Sequence, residues 1–267
     1  ADNYQRKAST SNFDAAPVDE ALMKDKSYYR VFNLAGFYEA RTSYFFNSLG
    51  GYHGVRIRRY QELYDSVISR EADRFISSAQ SGIDLKKFGV FNMLNTKYFI
   101  YGSQANEAIQ NPEANGPAWF VKEISLVNSA NEELEKISEI DTKNVALIDK
   151  SKFTVQNIVP DSSSVITLTD HKPNYLKYES QSSQAGLAVF SEIYYPKGWY
   201  ATIDGKEVPI IRADYVLRAL EVPAGKHIIE FKFEPKPYVI GNKITMASSW
   251  ILLLLVLGSL GWSLKQD

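Results

Sequence analysis

The stretch Ile244–Leu264 reads ITMASSWILLLLVLGSLGWSL and contains no charged residue; Lys265-Gln266-Asp267 follows it. An α-helix rises about 1.5 Å per residue, so a helix of this length covers the roughly 30 Å hydrocarbon core of a bilayer. Trp250 and Trp262 lie in its two end regions, where an indole keeps its N–H among headgroups. The competing reading is a helix buried in a soluble core, but core helices seldom run so far without a charge. The expectation is a water-soluble body tethered by one C-terminal transmembrane helix. Whatever the chain does must suit a membrane surface. Lys243 and Lys265 flank the helix almost symmetrically, so charge does not orient it.

The remainder of the 267 residues has the composition of soluble protein and is long enough for about two domains. Net charge is −1, which argues against nucleic acid as a partner, since such binding needs a basic surface. The absence of cysteine excludes disulfides and thiolate metal sites. The N-terminal ADNYQRKASTSNF lacks the apolar core of a signal peptide. An extracytoplasmic body would then need membrane helices upstream to deliver it, so a fragment of a larger chain is expected; the alternative is a C-terminal anchor inserted after synthesis, with the body left in the cytoplasm.

Before the apolar tail, the pattern changes near residue 151. Residues 1–150 mix helices and strands. Strands are expected at 28–34, 97–101, 119–127 and 145–148, and helices at 19–26, 55–79 and 85–94. Ser129-Ala130-Asn131-Glu132 matches a capping box before a further short helix. Without regular βαβ alternation this part reads as α+β. Residues 151–237 read as strands only: 153–159, 165–169, 175–179, 187–195, 199–203, 208–212, 215–222 and 227–234. Asp204-Gly205 is a two-residue hairpin signal. His227, Ile229, Phe231 and Phe233 alternate with Ile228, Glu230, Lys232 and Glu234, as in a strand with one buried face. An antiparallel β-sandwich, jelly-roll-like or immunoglobulin-like, is expected there. Residues 238–267 form the transmembrane helix and a short tail.

Chemistry is sparse. There is no phosphate-cradling P-loop and no nucleophile elbow. His53, His171 and His227 are far apart and none has metal-ligand spacing. No cofactor or metal is expected in this chain. The densest polar cluster is Tyr52, His53, Arg56, Arg58, Arg59 and Tyr60, after the loop Asn47–Gly54 with three glycines in five positions. Arginines beside tyrosines suit a phosphate or an anionic sugar, through bidentate bonds and stacking. The plainer reading is a solvated helix start whose arginines pair with Glu62 and Asp65. Arginines there oppose the helix dipole, so something must compensate them. A second surface is the run Tyr194–Tyr200, whose Trp199 could stack on sugar but whose aromatics also suit a sandwich core. Asp204 reads as the hairpin residue rather than as half of a carboxylate pair with Asp214.

GGYHGVRIRRYQEL (50–63), FNMLNTKYFI (91–100), AWFVKEISLVNS (118–129) and YYPKGWYATIDGKEVPIIRADYVLRALEVPAGKHIIEFKFEP (194–235) together resemble the C-terminal soluble region of YfhO-type bacterial membrane proteins. The family is similar to polytopic, GT-C-like glycosyltransferases that use a lipid-phosphate-linked sugar to modify cell-envelope polymers. The resemblance implies a catalytic carboxylate in an early extracytoplasmic loop that this sequence does not contain. It implies an accessory or acceptor-binding role for this part, on the extracytoplasmic side of the bacterial cytoplasmic membrane. Tyr52, His53, Arg56, Arg58, Arg59 and Trp199 would be the substrate contacts. Partners would be the bilayer, envelope glycan or lipid-linked sugar, and upstream helices of the same parent. A reading of another class is a non-catalytic tethered module that holds glycan or protein.

Overall fold

The computed structural model describes residues 14–52, 54–79, 82–156, 163–263 and 265. His53, part of the glycine-rich loop, lies outside them. In chain order the first region runs α1 (Pro17–Leu22), β1 (Arg30–Asn33), α2 (Ala40–Phe45), β2 (Asn47–Ser48) and α3 (Arg58–Leu63). A π-helical turn, Tyr64–Ile68, joins α3 to α4 (Ser69–Ser78). A 3-10 turn (Leu85–Lys87) precedes α5 (Gly89–Met93), β3 (Thr96–Ile100), β4 (Ala108–Gln110), β5 (Ala118–Phe120), β6 (Glu123–Val127), α6 (Ala130–Lys136) and β7 (Val145–Asp149). Then follow β8 (Val165–Lys172), β9 (Tyr175–Ser182), β10 (Gly186–Ile193), β11 (Trp199–Ile203), β12 (Lys206–Val208), β13 (Ile211–Ala213), β14 (Leu217–Val222), β15 (Gly225–Phe233) and α7 (Lys236–Ser263).

Helices and strands mix first, antiparallel strands follow, and an apolar helix closes the chain, as the sequence leads one to expect. Two antiparallel sheets make the sandwich, ordered β13-β14-β10-β5 and β12-β11-β15-β9-β8. Phe190, Ala188, Leu220 and Val222 from the first meet Tyr178, Leu176, Ile229 and Phe231 from the second. The other face of the first sheet buries Trp119, Leu187, Val189 and Ala219 against Phe32, Leu63, Phe91 and Phe99. That sheet is therefore covered on both sides, so β10 (GLAVFSEI) is buried over six successive residues and does not alternate. One core thus draws on residues either side of position 150.

Several local expectations are corrected. Residues 119–127 are not one strand: β5 pairs with β10, whereas β6 pairs in parallel with β7. The chain switches sheets at Val121 and Lys122, whose N–H groups donate to Leu187 O and Asn144 O. β6, α6 and β7 form one βαβ unit within a region that shows no regular alternation. Residues 208–212 also split. Pro209 has no N–H for a ladder, so β12 ends before it and β13 joins the opposite sheet. Residues 153–156 form no strand, and 157–159 lie outside the described residues. The helix expected from Val55 begins at Arg58, because Ile57 is extended (φ −66°, ψ 120°). The hairpin at Asp204-Gly205 is present, with φ of 50° and 79°. α7 stands clear of the body: its span Lys236–Ser259 is wholly unburied, which removes the core-helix reading.

Candidate functional site

A cleft of about 290 Å³ opens where the glycine-rich loop meets the start of α3. Its walls are mostly apolar: Phe37, Leu49, Val55, Ile57, Tyr64 and, from β10, Ile193. The loop is shaped by two glycines. A Cβ on Gly50 would collide with the Phe37 carbonyl oxygen, and Gly51 holds φ 128° while its N–H donates to the same oxygen at 2.6 Å. Tyr60 ties the loop down from inside, its hydroxyl donating to Leu49 O at 2.5 Å. Burial raises the Tyr60 pKa well above that of an ordinary phenol.

Two guanidiniums reach this cleft, in different states. Arg30 comes from β1 and is spoken for: it donates to Glu192 Oε1 at 3.0 Å and to the carbonyls of Ser191 (2.5 Å) and Leu94 (3.2 Å). Tyr28 completes that group, donating its hydroxyl to Glu192 at 2.7 Å. Arg56 has neutral partners. It donates to Gln61 Oε1 (2.8 Å) and Gly51 O (3.2 Å), and lies 5.0 Å above the Tyr38 ring. Among the described residues no carboxylate pairs with Arg56. A guanidinium has five N–H donors in a fixed fork, so Arg56 keeps donors and an uncancelled charge for an anion at the cleft wall.

The structure separates the other expected contacts. Arg58 is exposed and pairs with Glu62 at 2.8 Å, as the plainer reading has it. Asp65 instead accepts from Gln61. Arg59 leaves the loop altogether: it stacks 4.7 Å above the Tyr215 ring and lies 3.9 Å from Glu133. Glu133 is fully buried, also faces Arg212 at 3.4 Å, and accepts the Tyr215 N–H at 2.8 Å. Burial nevertheless raises its pKa. Asp214 is buried beside this network, accepts the Leu147 N–H at 2.8 Å, and is pushed well above the usual carboxylate range by burial. Asp204 is elsewhere, paired with His227 at 2.7 Å, so the two aspartates form no pair. Tyr52 is exposed on the loop without lining the cleft.

Trp199 is not part of this cleft. One face of its ring carries the Arg218 guanidinium at 3.9 Å, and Phe233 packs at 5.3 Å. It lines a separate hollow of about 170 Å³ with Tyr194, Tyr195 and Ile210. No group of three or more metal-ligating side chains forms among the described residues. The contacts missed on the sequence are Arg30, Tyr38 and Ile193. Arg30 did carry a signal: a charge inside an otherwise apolar strand needs a partner.

No curated protein and no solved structure matches the chain. Residues 133–245, from α6 into α7, match the family described as bacterial membrane protein YfhO, and this match bears out the YfhO-type resemblance across that span.

Proposed function

We propose that this chain is the C-terminal extracytoplasmic region and last membrane helix of a multi-pass glycosyltransferase. The parent transfers sugar from a lipid-phosphate donor to a cell-envelope polymer at the bacterial cytoplasmic membrane. This part assists by holding acceptor or donor, and bond-making chemistry belongs to another part of the parent. The observation that carries the reading is Arg56, a cation with no carboxylate partner among the described residues, in the wall of an apolar cleft. A ligand with an anionic group and a hydrophobic or ring-like portion suits that combination. Support for the wider setting comes from the membrane-protein family match and the apolar helix α7. Arg59 and Trp199 act here as structural groups and Arg58 as a solvated one.

The test is Arg56→Ala in the full-length parent, with envelope glycosylation measured by mass spectrometry of the purified polymer. The reading expects at least a tenfold loss, as for one charge-assisted contact of about 1.5–3 kcal/mol, at unchanged membrane abundance and fold. Wild-type glycosylation would remove the cleft from the reaction and favour a tethered scaffold.

A further inference from the structure

The glycine-rich loop turns apolar side chains away from the protein. Val55 is 92% exposed, Tyr52 79% and Ile57 42%. Gly54 has open space around it. Three large apolar groups within six residues make a patch that a water-facing surface rarely presents.

The place of this loop relative to α7 is bounded by the chain. Ile193 shares the cleft wall with Val55 and Ile57 and ends β10. Five residues on, Gly198 packs against the root of the membrane helix: a Cβ there would meet Phe233 at 2.9 Å and Pro235 at 3.0 Å. An extended chain covers at most about 3.6 Å per residue, so the cleft wall lies within roughly 20 Å of the base of α7. The uncharged part of α7 begins at Ile244, after the stretch Lys236–Lys243. At about 1.5 Å per residue that stretch spans roughly 12 Å, which sets the body at the outer edge of the headgroup layer. Tyr195 and Tyr238 are exposed along the same path, and Lys197, Lys236 and Lys243 lie on it against the single carboxylate of Glu234. Tyrosine and lysine are the side chains that settle at a membrane interface.

We propose that Tyr52, Val55 and Ile57 make a second contact with the bilayer that α7 crosses. The three side chains enter the interfacial layer. The cleft then opens at the membrane surface. This inference rests on exposure and tether length, and it stands whatever the cleft binds.

The chain has no cysteine, so Val55→Cys carries a single nitroxide label with no background. The full chain is reconstituted into vesicles of phosphatidylethanolamine and phosphatidylglycerol. Collision of the label with oxygen, which concentrates in lipid, is compared with collision with a water-soluble nickel chelate. Lys226→Cys, at the end of β15 remote from α7, is the water-facing reference. Chelate access several-fold lower at 55 than at 226, with oxygen access higher, is the expected result. Equal chelate access at both positions would place the loop in water and overturn the inference. Low access to both reagents at 55 would mean that protein covers the loop, and would overturn it equally.

Discussion

Residues 50–60 and residues 194–200 are both aromatic, polar and glycine-containing, and either could hold a ligand on composition alone. The fold uses them oppositely. In the second segment Trp199 packs against Phe233 and against the guanidinium of Arg218, a buried cation that also donates to Ile193 O. In the first, Arg56 is held by neutral acceptors and the apolar side chains around it stay open. The difference lies in distant partners. Arg218 comes from β14 and is enclosed by Trp199 and Phe231, and Arg59 finds Glu133 from α6, whereas Arg56 stands at an open cleft and no carboxylate approaches it among the described residues. A cation enclosed by the fold is architecture; a cation with neutral partners at the wall of an open cleft is a binding candidate.

Substitutions should separate the two roles. Glu133→Ala should act most strongly, because it removes the buried acceptor of the Tyr215 N–H, unfastens Arg59 and leaves buried Arg212 with Asp149 as its one carboxylate partner among the described residues. A loss of about 4 kcal/mol is expected, read by denaturation in detergent. Trp199→Ala should cost about 3 kcal/mol, since it removes a large packed ring and the seat of Arg218. Loss of sugar transfer without loss of stability in that variant would return Trp199 to the site. pH should then distinguish the helix behind the loop from the sandwich. Glu71 on α4 accepts the N–H groups of Val90 and Phe91, and burial pushes its pKa from 4.5 up to about 7. A raised acid favours the folded state fully below its unfolded value, and that contribution is lost as pH rises through the folded value. Stability should fall between about pH 4.5 and 7, by on the order of 3 kcal/mol at most. Glu71→Gln should flatten the profile, and an unchanged slope would assign the effect to Glu133 and Asp214. Arg58→Ala should be the mildest, below about 0.5 kcal/mol, as for an exposed i,i+4 pair.

Features set by neighbours in the chain were legible in advance. The uncharged tail, the alternation along β15 and the Asp204-Gly205 turn each follow from local spacing. Ser129 does accept the Glu132 N–H, although Glu132 returns its carboxylate to Asn128 N–H rather than to Ser129. What stayed hidden depends on distant partners. The break at Val121-Lys122 is made by Leu187 and Asn144, and nothing inside WFVKEISLV announces it. The split at Pro209 is signalled by the proline itself, which the expected strand 208–212 runs through. The three arginines look alike in VRIRRY, yet Tyr38, Glu62 and Tyr215 with Glu133 sort them into cleft, solvent and core.

If α7 crosses a membrane and holds the folded body at its surface, the chain will resist extraction by alkaline carbonate. It will stay with the lipid, float with vesicles in a density gradient, and need detergent for release. Recovery of a monodisperse chain from the carbonate wash without detergent would mean that α7 does not span the bilayer.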